Sequence, residues 1–210
     1  MDLNLHYWLS NVHNTLGPGN RAVIWVQGCS LHCQGCILPE AWDKGCGDIV
    51  DVCKLAMQVL LDPGIEGITV SGGEPVEQPE AVAELLSYMK NAGKNTWVYT
   101  GYTIEELVER NDPVIDKLLS LTDVLVDGRF NQSEAGTYLF RGSLNQRIIR
   151  LTDAIPKEAL KVSNTSRLEI NLDVSGSMAI AGVPPPGFFR QFARIIENRG
   201  VHVKNTKLWE

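Results

Sequence analysis

The sequence predicts an α/β chain whose core is a parallel sheet joined by crossover helices. Two observations carry this expectation. Short β-branched runs alternate with segments of helical periodicity between residues 22 and 126, and a cap or a breaker separates most neighbours. A third observation is negative: nothing repeats at a fixed period and nothing is of low complexity, which argues against a solenoid.

In chain order, Ala22–Val26 reads as a buried strand that ends at Gln27-Gly28-Cys29. Asp48 is the expected cap of a helix whose apolar positions are Val52, Leu55, Ala56, Val59 and Leu60, stopped by Asp62-Pro63-Gly64. Gly67–Val70 is the next strand and runs into Ser71-Gly72-Gly73-Glu74-Pro75. A second helix carries Val82, Leu85, Leu86 and Met89 on one face and stops near Gly93. Asn95–Thr100 is a third strand, and Thr103 caps a helix through Ile104, Leu107 and Val108. A helix with Ile115, Leu118 and Leu119 then precedes the strand Val124–Val126.

The pattern changes after about residue 150. Arg167–Val174 alternates apolar and polar residues, turns at Ser175-Gly176-Ser177 and returns through Met178–Ala181, which predicts a half-exposed β-hairpin. A stiff spacer, Val183–Gly187, leads to an amphipathic helix with Phe188, Phe189, Phe192, Ile195 and Ile196. Residues 1–150 are thus expected to form the core, and residues 151–210 an addition packed on it. A chain of 210 residues suits one such domain at roughly 150 residues per domain.

Composition narrows the function classes. With 19 basic and 25 acidic residues the net charge is −6, a poor basis for salt-driven nucleic-acid binding. No apolar run approaches the ~18 residues that span a bilayer, so no membrane association is expected. Met1-Asp2-Leu3-Asn4 lacks the features of a secretory signal, so a cytoplasmic location with reduced thiols is the expectation. The five cysteines are odd in number and cannot all pair.

Three of them fall in Cys29-Ser30-Leu31-His32-Cys33-Gln34-Gly35-Cys36. Three thiolates converging from a loop after a strand can hold a [4Fe–4S] cluster one ligand short, leaving one iron open to a non-protein ligand. The competing readings are a zinc site that adds His32, or inert thiols. Zinc normally recruits a second Cys/His pair from elsewhere, and none is evident. Cys46 and Cys53 read as ordinary core or surface thiols, and His32 as a shield of the loop or a solvent-facing residue.

The cysteine spacing resembles that of the radical S-adenosylmethionine (SAM) superfamily. Gly17-Pro18-Gly19-Asn20-Arg21 leading to Gln27-Gly28-Cys29, with Pro39-Glu40-Ala41-Trp42 behind the cysteines, is similar to the glycyl-radical-enzyme activases. Arg141-Gly142-Ser143-Leu144-Asn145-Gln146-Arg147-Ile148 is similar to a segment of the anaerobic ribonucleotide reductase activating proteins. The resemblance covers about residues 12–150 and departs from the family in two places. Leu38 stands where activases often have Asn, and the chain continues past the Arg-Gly-Ser block, where the reductase activases commonly end.

The resemblance implies an α/β partial barrel of parallel strands with the C-terminal hairpin and helix added. It implies that Cys29, Cys33 and Cys36 are the catalytic, metal-binding residues, and that SAM occupies the open iron. It implies cofactor binding by Gly72, Gly73, Glu74, Thr100 and Asp127 at strand ends, where ligands gather in parallel sheets, and by Arg141, Ser143, Asn145 and Arg147. Asp127 has a cation as a second candidate ligand, and the Arg141–Arg147 block has the substrate. Arg21 is left between touching substrate and steadying the entry loop.

The implied reaction is one-electron reduction of the cluster by a donor such as flavodoxin or ferredoxin, cleavage of SAM to a 5′-deoxyadenosyl radical, and hydrogen abstraction. The expected substrate is a glycine Cα–H of a partner glycyl radical enzyme. The alternative is a stand-alone radical SAM enzyme that modifies a small molecule or peptide. A non-catalytic metal-binding or electron-carrier module ranks last, because a carrier gains nothing from an open iron.

Overall fold

The computed structural model describes residues 1–161, 165–172, 178–185 and 187–200. Its main sheet has seven strands: β1 (Asp2–His13), β2 (Asn20–Val26), β3 (Asp48–Asp51), β4 (Gly67–Gly72), β5 (Asn95–Tyr99), β6 (Val124–Asp127) and β9 (Arg147–Arg150). The order is β3-β1-β2-β4-β5-β6-β9. The neighbours β2, β4, β5 and β6 are parallel, while β1, β3 and β9 pair antiparallel at the two edges. The expected parallel α/β core is therefore present, as an open sheet.

Helices α1 (Val52–Leu60), α2 (Pro79–Asn91), α3 (Ile104–Glu109) and α4 (Pro113–Ser120) supply the crossovers. One face of the sheet presents Ala22, Ile24, Val26, Ile68, Val70, Val98 and Leu125 to a core shared with Leu55, Val59, Val82, Leu85, Leu86 and Leu118. These are the apolar stripes read from the 3.6-residue period. The opposite face carries Val23, Trp97, Val124 and Val126 and is covered by Leu16, Phe140, Ile155 and Ala181. Covering both faces is what allows a parallel sheet to be apolar on both.

Thr103 caps α3 in a complete capping box with Glu106. The cap of α1 is Asp51, whose carboxylate accepts from the Lys54 N–H, and not Asp48. Asp48 lies instead in β3, opposite Leu5 of β1. Strand β1 itself escapes a period-2 reading because two register shifts interrupt it, between Leu5 and Tyr7 and between Leu9 and Val12. Each bulge moves the following side chains to the other face. Asn11, in the second irregularity, takes a left-handed φ of 59°.

A small ribbon, β7 (Ala135–Tyr138) with β8 (Arg141–Ser143), stands beside the end of β6. The expected hairpin forms from β10 (Leu168–Leu172) and β11 (Met178–Gly182), with the turn at Ser175-Gly176-Ser177 outside the described residues. Pro186 of the spacer also lies outside them. Ala181 is fully buried against Val12, Leu16 and Val23, and the Glu169 carboxylate accepts from the His13 N–H at 2.7 Å. Helix α5 (Phe188–Glu197) follows, with Phe188 stacked on Phe192. No described helix is long and apolar enough to cross a membrane.

Candidate active site

The cysteine loop leaves the C-terminal end of β2 and is fastened at both of its ends. Gly28 N–H donates to Ala41 O at 2.8 Å and Cys29 N–H to Trp42 O at 3.0 Å, so departing and returning chains form two rungs. The end of β4 joins them: Gly73 N–H bonds Val26 O at 2.7 Å and Glu74 N–H bonds Gly28 O at 2.8 Å. A Cβ on Gly73 would stand 2.3 Å from Gly28 O, so only glycine fits this approach. The Gln27 carboxamide donates to Glu40 O and Asp43 O, each at 2.8 Å, and fixes the returning chain. The Glu77 carboxylate accepts from Ser30 N–H at 2.8 Å and from its hydroxyl at 2.5 Å, and it pairs with Lys44 Nζ at 2.6 Å. These bonds hold Glu77 below the usual carboxylate range despite its partial burial.

Between these anchors lie the thiols. Cys29 is buried, Cys33 and Cys36 are half-buried, and Cys36 N–H bonds Cys33 O at 3.1 Å. Burial pushes the Cys29 and Cys36 thiols up. Backbone N–H groups of Leu31 and His32 oppose this at Cys29, as the Leu38 N–H does at Cys36. The Trp42 indole N–H is buried without a hydrogen-bond partner, yet it lies near enough to the Cys36 sulfur to favour the thiolate. His32 takes a φ of 45° and rests its ring on Trp42, with centroids 4.8 Å apart. Cys46 is exposed beside Asp43, and Cys53 sits on α1.

Glu74 is 1% exposed at the end of β4. Its Oε1 accepts from Val76 N–H at 3.0 Å and Thr100 Oγ1 at 2.8 Å, and its Oε2 accepts from Gly101 N–H at 2.8 Å. The carboxylate therefore ties the ends of β4 and β5 together. Burial pushes its pKa up to about 7 against those three donors. Gly72 precedes it at φ 101°. Leu31 of the cysteine loop lies over Gly101, where a Cβ would meet its Cδ1 at 2.3 Å. Gly73, Glu74, Thr100 and the loop thus share one rim.

The remaining candidates gather at the end of β6. Asp127 is fully buried and pairs with Arg147, its register partner on β9, through Nε at 2.9 Å and Nη2 at 2.5 Å. Arg147 also forks onto Glu105 at 3.0 and 2.6 Å; its bonds to Asp127 first and Glu105 second raise its pKa, and the fork pulls Glu105 down to about 2. Arg141 donates to Leu144 O and Gln146 O. Ser143 is buried and accepts from Asn131 N–H, and Asn145 donates to Arg129 O at 2.8 Å. This polar block is largely bonded to itself.

Arg21 lies at the other end of the sheet. It is 1% exposed, donates to Thr69 Oγ1, Pro18 O, Asn95 Oδ1 and Ile68 O, and is lowered to about 10 by burial. It steadies the entry loop, and the substrate alternative finds no support. The sequence reading missed Glu77 and the part Gln27 plays as anchors. It also missed an open cleft of about 710 Å³ beside the loop, lined by Gln34, residues 129–133 and Asn145.

Residues 15–149 match the family described as 4Fe-4S single cluster domain. The anaerobic ribonucleoside-triphosphate reductase-activating protein of Pasteurella multocida is 35% identical over 159 residues, covering 70% of this chain and 97% of the relative. The chain belongs to this family. The reductase-activating protein of Enterobacteria phage T4 is 31% identical over 147 residues, covering 67% and 90%. The crystal structure of QueE from Escherichia coli has 14% identity and a TM-score of 0.42, covering 49% of this chain and 54% of that one. Within the reductase-activating family, then, nearly the whole length of the Pasteurella protein falls on about seven-tenths of this chain. The matched span holds the cysteine loop and all four parallel strand ends.

Proposed function

We propose that this radical SAM enzyme uses Cys29, Cys33 and Cys36 to hold a [4Fe–4S] cluster and acts on a glycine Cα–H of a partner glycyl radical enzyme. The observation that carries the reading is the cysteine loop itself, which stands at the C-terminal rim of four parallel strands and is fastened on both sides. The donor set, three thiols within eight residues of one loop, is of the kind that iron–sulfur clusters use. Among the described residues no three His, Cys, Asp or Glu side chains, these cysteines included, converge on one ion position. The unpartnered Trp42 N–H beside Cys36 fits a sulfur-rich group, whose potential hydrogen bonds to sulfur help to set. The chemistry the bound cofactors supply is reductive cleavage of SAM to methionine and a 5′-deoxyadenosyl radical, which takes the hydrogen atom.

The chain's own residues position and shield. Gly72 and Gly73 would let the main chain approach SAM closely, and the Glu74 carboxylate would accept from its ammonium group. Thr100 orients Glu74 through the 2.8 Å hydroxyl bond. Asp127 and Arg147 lock the β6–β9 edge, and Arg141, Ser143 and Asn145 hold the adjoining wall. In this reading residues 1–150 are the catalytic core, a partial barrel in curvature. The described part of the segment from 151 onward is read as packed on it, supported by the burial of Ala181. A donor such as flavodoxin or ferredoxin delivers the electron. Anaerobic reconstitution with iron and sulfide, then dithionite and SAM, is expected to yield 5′-deoxyadenosine. The Cys33→Ala variant is expected to yield none; parental yield from that variant would end the assignment.

A further inference from the structure

The cleft beside the cysteine loop has a lining of unusual chemistry. Four of its side chains are carboxamides, Gln34, Asn131, Gln132 and Asn145, and none is acidic. Its one cation, Arg129, is paired with Glu106 at 3.2 Å, so the lining is poorly suited to a phosphate or another anion. Two of the carboxamides are committed to the wall. Asn131 donates to Glu134 and accepts from Ser133, and Asn145 donates to Arg129 O. Leu144 N–H to Glu134 O and Gln146 Nε2 to Gly128 O brace the same wall. Among the described residues, Gln34 and Gln132 have no hydrogen-bond partner for their side chains. They reach the cleft from two different segments. Gln132 closes onto Gly35, where a Cβ would come within 2.9 Å of its Cδ, so a glycine beside Cys36 brings this side chain against the cysteine loop.

A carboxamide offers an acceptor and two donors in one plane, which can meet the single N–H donor and single C=O acceptor of a peptide group together. Two of them free in one braced cleft can bond the main chain of an extended segment without touching its side chains. That is the recognition a glycine target requires, since it has no side chain to read. We propose that this cleft receives an extended, glycine-bearing peptide by its backbone, with Gln34 and Gln132 as the reading groups. The inference rests on the activase reading above and adds the site at which the partner's segment is held.

The test uses the reconstituted holoenzyme in its oxidised, non-turning-over state and the peptide N-acetyl-Ala-Ala-Gly-Ala-Ala-amide. Saturation-transfer NMR measures binding, with a second peptide N-methylated on both sides of the glycine as control. Gln34→Ala and Gln132→Ala, both exposed positions, are each expected to weaken binding of the first peptide about tenfold, and N-methylation to weaken it for the parent. Parental affinity in both variants, no binding to the parent, or weakened SAM binding with peptide binding intact would each overturn the proposal. The activase reading is tested separately: a reduced parent enzyme that makes no 5′-deoxyadenosine refutes that reading whatever the peptide does.

Discussion

Replacing Glu74 by Gln should change how stability depends on pH more than it changes stability itself. The parent carboxyl is buried and its pKa is raised from 4.5 to about 7, so the folded state holds a proton there that the unfolded chain has lost. Stability is therefore fullest below about pH 4.5 and declines as pH rises toward 7, by roughly 3 kcal/mol for a shift of this size. The Gln variant has no such slope. It carries its own cost at every pH, because its amide N–H₂ must face one of the three donors that now bond the carboxylate, and an unsatisfied buried donor costs about 1–3 kcal/mol. Glu74→Gln is thus expected to be less stable than the parent by about 2 kcal/mol near pH 5 and to draw level by about pH 8. Urea titrations of the cluster-free proteins at several pH values measure the difference. A gap between variant and parent that stays constant across that range would refute the argument.

Four other substitutions probe the loop, its supports and the two remaining cysteines. Gly73→Ala forces the chain away from Gly28 O and should cost about 2–3 kcal/mol and much of the bound iron, measured per chain after gel filtration. Arg21→Lys removes the fork that bonds Thr69, Asn95 and two carbonyls, and it should lower stability by about 2–3 kcal/mol in urea; an unchanged midpoint would contradict the supporting role. Cys46→Ser and Cys53→Ser should leave iron per chain at the parental value, and a fall in either would mean that a fourth protein thiol takes part in cofactor binding.

Much of the core is legible in the sequence because each strand and helix has one job. The stripe of Val82, Leu85, Leu86 and Met89 faces one core, and the run Ala22–Val26 is apolar throughout because it is covered on both faces. Strand β1 is not legible, since its two register shifts break the alternation, and Asp48 mimics a cap because the real one, Asp51, lies three residues on in the same polar stretch. At the site, local spacing carries Cys29, Cys33 and Cys36, and the pair Gly72-Gly73. What spacing cannot carry is long-range satisfaction. Glu77 meets Ser30 across 47 positions, and Gln27 meets Glu40 and Asp43 across 13 and 16. Glu74 reads as a rim carboxylate, but its burial follows only once β5 brings Thr100 and Gly101 against it.

The contact between Glu169 and His13 joins positions 156 apart, and Ala181 seats on Val12 and Val23 across a similar span. Contacts of such separation pay their loop-closure entropy last. During synthesis, strands β1 to β6 must pair while this part of their apolar face is still bare, for as long as the ribosome takes to deliver the hairpin. A nascent chain stalled near residue 160 should therefore expose Val12, Leu16 and Val23 and bind holdase chaperones that the finished chain does not. The added segment thus sets a timing requirement on folding, whatever it contributes to the reaction.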